Sequence, residues 1–329
     1  MLRLLPFILL ILCLGLSSCS GQKTDLDSQE AKGYELFEKA DYQKARRELQ
    51  RSVEAQPRNA RARCLLGLTD LNLGKDDLAK VALAQTVCMT APTNQWHIIA
   101  AQKLFSRYRL SPYSCLQPHL KPPGLMRWGP DRMPIKIYIS PGKMIPEKYT
   151  DRELDPAGVD DMLSEISKPG YLASADSCPL YRDGMRSEVA QGLEAWAFAR
   201  KAQVLDYMTV DRSENADVII LFCPRLHGYA GWTYYPPQSG KFRTTVIFIC
   251  LEMQEKLDGA DARELLKAVT AHEFGHVLGL PHSPNRQDLM YMCRTAVADV
   301  NGGLQAKSIS DSDRTSLDSL YSLRPDCYF

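Results

Sequence analysis

Residues 272–282 read His-Glu-Phe-Gly-His-Val-Leu-Gly-Leu-Pro-His. No other stretch of the 329-residue chain restricts its fold as tightly. Residues four apart on a helix share a face, so His272 and His276 aim two imidazoles at one point. Gly279 can adopt a positive φ at little steric cost, which ends the helix and turns the chain. The turn returns His282 as a third ligand. Three neutral nitrogens at about 2.0–2.1 Å suit one zinc ion and leave its fourth tetrahedral position to water, the mark of a catalytic rather than a structural site. Glu273 leans over the same point without needing to bind the metal, placed to take a proton as general base and return it as general acid. Three of the chain's six histidines fall within these eleven residues, which argues against a helix whose histidines only pack or face water.

The complete run resembles that of the metzincins, and Ser283 after the third histidine resembles their matrixin-type members. The resemblance implies a zinc endopeptidase with one catalytic ion acting on protein or peptide. It also implies an α/β (α+β) domain with a mixed five-stranded sheet, covering residues 131–329. Asp288-Leu289-Met290-Tyr291 resembles the family's Met-turn, with Met290 packed beneath the zinc. Met292 stands where the family often has proline. Asp261-Ala262-Arg263-Glu264 reads as a capping box with Asp261 as N-cap of the zinc helix. Ile135–Ile139 alternates like a strand, and Met185–Ala199 reads as one long helix. Val218–Phe222 and Thr245–Ile249 are apolar runs suited to buried parallel strands. Residues 228–237 resemble the family's antiparallel edge strand, in which Tyr229, Ala230, Gly231 and Trp232 would receive extended substrate by strand addition; an aromatic surface hairpin is the alternative. Trp232 stands where many vertebrate members have a histidine for a second zinc, so no second zinc is expected. Calcium is common in the family, but no pattern here marks a site for it. Ile309–Tyr321 resembles the last helix, with Ser310 and Asp313 as a capping pair. Two other functions stay open: an inactive peptide-binding relative, and an adaptor working through the N-terminal region in envelope assembly.

Residues 1–18 read as a signal peptide, with Leu4 to Leu16 almost wholly apolar and short for a membrane span. Leu16-Ser17-Ser18-Cys19 resembles the bacterial lipobox, which implies lipidation at Cys19 and residues 19–28 as a tether. Ser20 in place of aspartate resembles outer-membrane sorting if the host is Gram-negative. The expectation is an exported bacterial lipoprotein, anchored to a membrane or the cell surface; plain secretion is the alternative.

Residues 29–110 repeat at a 34-residue period: Gly33 and Gly67, Ala45 and Ala79, Leu49 and Leu83. That period, with Pro57 and Pro92 closing the units, is a tetratricopeptide signature. Two repeats and a third opening helix, Gln95 to Arg107, are expected, either holding a protein partner or spacing the second domain from the membrane. Residues 111–130 are proline-rich and read as a stiff linker. Cys115 within it does not match the family's latency motif and reads as a disulfide or an idle thiol. The net charge of +1 gives no reason to expect nucleic acid. With Cys13 removed and Cys19 lipidated, eight of the ten cysteines remain, an even count that suggests disulfides in an exported chain. The expected pairs are Cys64 with Cys88, and Cys223 with Cys250.

Overall fold

The computed structural model describes residues 25–236, 243–255, 257, 259–292 and 308–329. The signal segment, Cys19 and the tether as far as residue 24 lie outside the described residues. Five successive helices form the N-terminal part: α1 (Asp25–Glu38), α2 (Tyr42–Ala55), α3 (Ala60–Asn72), α4 (Asp76–Cys88) and α5 (Gln95–Tyr108). Each packs on the next in sequence. Asp41, Asn59 and Asn94 cap α2, α3 and α5 by accepting backbone N–H groups. Ala45, Leu49 and Val53 recur at helical spacing and bury one face of α2. The sequence period reappears as a repeated contact. A methyl group on Gly33 would lie 2.7 Å from Leu49 Cγ, and one on Gly67 would lie 2.8 Å from Leu83 Cγ. Both leucines are fully buried, each worth about 1.5–3 kcal/mol of transfer free energy.

The rest of the chain is built on a sheet. Its elements are β1 (Met126–Arg127), β2 (Ile135–Ile139), α6 (Pro156–Ile166), α7 (Tyr171–Ser174), α8 (Met185–Leu193), α9 (Ala197–Lys201), β3 (Tyr207–Val210), β4 (Val218–Cys223), β5 (Gly231–Tyr234), β6 (Thr245–Cys250), α10 (Glu252–Glu255), α11 (Gly259–Val277), α12 (Asp311–Ser322) and β7 (Cys327–Tyr328). The five-stranded order is β3-β2-β4-β6-β5, with only β5 antiparallel. Every residue of β4 and β6 is buried, as expected for parallel strands covered on both faces. Alternate residues serve opposite faces. Ile220, Phe222, Ile247 and Ile249 join the core that includes α8, α11 and α12, whereas Ile219, Leu221, Val246 and Phe248 join the core under α6.

Several expectations need correction. The helix read as Met185–Ala199 is interrupted by a 3₁₀ turn at Glu194–Trp196 and resumes to Lys201. Strand β3 carried no clear sequence signal, because two of its four residues are exposed at the sheet edge. Residues 111–130 are non-helical but packed. Tyr113, Cys115, Leu125 and Trp128 are buried in the core that contains α11 and α12, and β1 pairs in parallel with β7. Neither expected disulfide is present. Cys223 and Cys250 are register partners on β4 and β6, but their thiols donate to Ile249 O and Pro224 O. Cys64 lies in the α3–α5 core, while Cys88 meets Cys115, whose N–H donates to Cys88 O at 2.8 Å. The helical part is seated on α12, with Gln85 Nε2 donating to Ser322 Oγ at 2.8 Å and Arg58 paired to Asp326 at 2.8 Å. Among the described residues no helix is long and apolar enough to cross a membrane.

Candidate metal centre

Helix α11 carries the site. It starts at Gly259, so Asp261 sits within the first turn rather than at the N-cap, where its charge still suits the positive end of the helix. Leu265, Leu266, Val269, Phe274 and Val277 are buried. Gly192 of α8 lets the two helices approach closely: a methyl group there would lie 2.7 Å from Lys267 O. The C-terminus is a Schellman turn. Gly279 has φ +95°, its N–H donates to His276 O at 2.9 Å, and Leu280 N–H donates to Gly275 O at 3.0 Å.

The chain then returns across the helix. Ser283 N–H donates to Met290 O at 2.8 Å, and Ser283 bridges to Tyr291. Met290 is fully buried. Its sulfur occupies the place a side chain on Gly275 would need, so Met290 packs directly against α11 between the positions of His272 and His276 in sequence.

His272, His276 and His282 converge, with ligating atoms all within 4.8 Å of one another; among the described residues no fourth ligating side chain joins them. Nε2 of His276 and Nε2 of His282 are 3.2 Å apart. Two nitrogens on one tetrahedral zinc at 2.0–2.1 Å would be about 3.3 Å apart. Nδ1 of His272 lies 2.7 Å from Leu289 O, and Nδ1 of His276 lies 2.8 Å from Leu280 O. A carbonyl only accepts, so each Nδ1 carries the proton and each Nε2 presents a lone pair to the centre. Burial lowers the pKa of His276 well below the usual value, reinforced by His272 and His282; burial also lowers that of His282. For these two rings burial favours the neutral form that metal binding requires. The donor set and its spacing fit zinc.

Glu273 is buried beside them, and burial pushes its carboxyl up to about 7, opposed by a hydrogen bond from Thr233. Thr233 Oγ1 donates to Glu273 Oε2 at 2.7 Å. Gly231, on the same face of β5, leaves room for the carboxylate: a methyl group there would lie 2.7 Å from Glu273 Cγ. Tyr235 OH donates to His276 O at 3.1 Å. Thr233 and Tyr235 were not singled out in the sequence; the two-residue alternation from Gly231 was the available signal for Thr233. Of the expected edge-strand residues, Gly231 lies against Glu273. The Trp232 ring packs with His227, Tyr229 and Tyr234 in the other core, and Ala230 O accepts from Cys250 N. β5 is the antiparallel edge of the sheet, as read.

Residues 171–322 match the family model described as Matrixin. Stromelysin-2 of Rattus norvegicus is 30% identical over 156 residues, covering 44% of this chain and 30% of the relative. Matrix metalloproteinase-C of Caenorhabditis elegans is 25% identical over 167 residues, covering 46% of this chain and 27% of the relative. The chain thus spans less than a third of the length of either relative. Residues 171–322 carry a matrixin domain, distantly related to the matrix metalloproteinases.

Proposed function

We propose that this chain is a zinc-dependent endopeptidase. The observation that carries the reading is the convergence of His272, His276 and His282 beside the buried Glu273. Zinc held there would polarise a peptide carbonyl and make a water more acidic. Glu273 takes a proton from that water as its oxygen bonds to the peptide carbon. The same carboxyl then gives the proton to the departing amine as the C–N bond breaks. Thr233 holds the carboxylate in position. Met290 supports the centre from below without ligating. An extended substrate adds along the outer edge of β5 near residues 229–232, with main-chain hydrogen bonds giving affinity.

The same reading makes residues 1–18 a signal peptide and Cys19 the lipidated residue. It makes residues 29–110 tetratricopeptide-like hairpins that hold a protein partner or raise the peptidase from a bacterial membrane, with residues 131–329 as the peptidase. A lipid anchor needs no spanning helix.

The test uses the full chain, its zinc content and a mixed peptide library. Glu273→Gln should keep zinc and lose about 10²–10⁴-fold in turnover, the usual worth of a general base. Undiminished cleavage would remove Glu273 from its role. Zinc binding without cleavage by the wild type would leave a peptide-binding protein instead.

A further inference from the structure

The turn that delivers the third histidine is built partly by residues that precede the matched domain. Val277 O, one of the carbonyls left over at the end of α11, accepts from Trp128 Nε1 at 2.8 Å. Gly279 O accepts from Gln117 Nε2 at 2.6 Å. The Met126 carbonyl lies where any side chain on Gly279 would stand, so two backbones touch there with nothing between them. Gln117 is buried, and its own backbone is fixed by an N–H to Gly124 O bond of 2.8 Å. Just beyond, Leu125 N–H donates to Asp326 Oδ2 at 2.6 Å and Asp326 N–H returns to Leu125 O at 2.8 Å. Residues 113–128 are therefore a strap, tied at both ends, that presses on the Gly279 turn.

Two ligands depend on that turn. Leu280, the next residue, supplies the carbonyl that takes His276 Nδ1–H. His282 is three residues beyond Gly279. The 279–280 peptide sets where the Leu280 backbone starts, so a shift of Gly279 O would be passed on to the Leu280 carbonyl at His276 and to the path leading to His282. One amide donor therefore governs the outer contacts of one ligand and the backbone path to the other.

We propose that Gln117 is a positioning residue for the metal centre: by holding Gly279 O it fixes the orientation of His276 and the placement of His282. This rests on the zinc reading above. Loss of an outer-shell partner typically weakens metal affinity 10–100-fold. Gln117→Met keeps length and volume but has no donor; Gln117→Asn keeps the amide but falls one methylene short. In the full chain, zinc affinity is measured by chelator competition, together with the Co²⁺ absorption spectrum and the melting temperature of the metal-free protein. The expected result is zinc affinity about 10–100-fold weaker in whichever variant folds, an altered Co²⁺ spectrum, and faster amide exchange at residues 279, 280 and 282. A purely structural glutamine would lower the metal-free melting temperature and leave the folded protein's zinc affinity unchanged; that result overturns the proposal alone. A wild-type chain that binds no zinc overturns the zinc reading as well.

Discussion

The helical part and the sheet-bearing part of this chain solve the same problem, burying polar groups, in opposite ways. In α3 and α4 the hydroxyls of Thr69 and Thr86 donate to carbonyls four residues back, and the buried Asp70 is met by Arg46 of the neighbouring helix. These partners lie in the same helix or in the one before it in sequence, and only where the helices meet α12 does a buried group such as Gln85 reach further. In the sheet-bearing part they come from far along the chain. Tyr113 OH reaches Asp313, Gln117 reaches Gly279, Trp196 Nε1 reaches Ala271 O, and Thr233 reaches Glu273. Three of these four distant pairings end on α11 or the turn that follows it, and Tyr113 ends on the neighbouring α12. A local contact can be repeated every 34 residues and builds a scaffold. Groups that must meet at one point with small error need support from several directions, and only long-range pairing supplies it.

That contrast can be broken by substitution. The largest effect is expected from Gly275→Ala, whose methyl group would overlap the Met290 sulfur and lie 2.8 Å from Trp196 Cζ2. Overpacking of this kind costs about 1–3 kcal/mol, and here it should also displace the zinc helix from its support. Chemical denaturation and zinc content should fall together; a stable variant with full zinc would show the centre to be more yielding than its packing implies. Gly67→Ala meets Leu83 Cγ at 2.8 Å and should also cost about 1–3 kcal/mol, yet turnover per folded molecule should stay at the wild-type value. A fall in turnover would mean the hairpins and the centre are not independent. The smallest effect concerns protons. The folded pKa of His276 is depressed, so below about 6.5 the unfolded chain binds a proton that the folded ring refuses. In the metal-free protein the His276 contribution to stability should fall as pH drops through that value, with a slope of up to about 1.4 kcal/mol per pH unit, while Glu273, raised to about 7, contributes a slope of the opposite sign. Replacing His276 by glutamine should flatten that slope in pH-dependent melts, and an unchanged slope would assign it to other groups.

Much of the centre could be read from spacing, for reasons internal to one helix and one turn. His272 and His276 share a face because of the helical period, and Gly279 ends the helix because φ there is +95°. The capping pair at Ser310 and Asp313 was legible for the same reason, since it is made by neighbours in sequence, whereas the edge strand was expected from the resemblance and is placed by its pairing with β6. Residues 111–130 misled because several prolines do exclude a helix, as observed, but proline content says nothing of burial. Trp128 and Cys115 became core through contacts made more than a hundred residues away. The expected cysteine pairs failed similarly: sharing a register row brought Cys223 and Cys250 side by side without bonding them.

Sequence alone determined the chemistry on offer: three imidazoles and a carboxylate at offsets that only a helix followed by a glycine turn can bring together, and glycines repeating at the period of a helical hairpin. Those properties follow from backbone geometry, which is the same wherever the segment sits. Tertiary structure decided which ring nitrogen carries the proton, that Thr233 meets Glu273, and that a strap from outside the matched region closes on the Gly279 turn. Apart from Leu280 beside His276, these depend on which carbonyl, hydroxyl or amide of another segment arrives within hydrogen-bond distance, and no local pattern encodes such a partner.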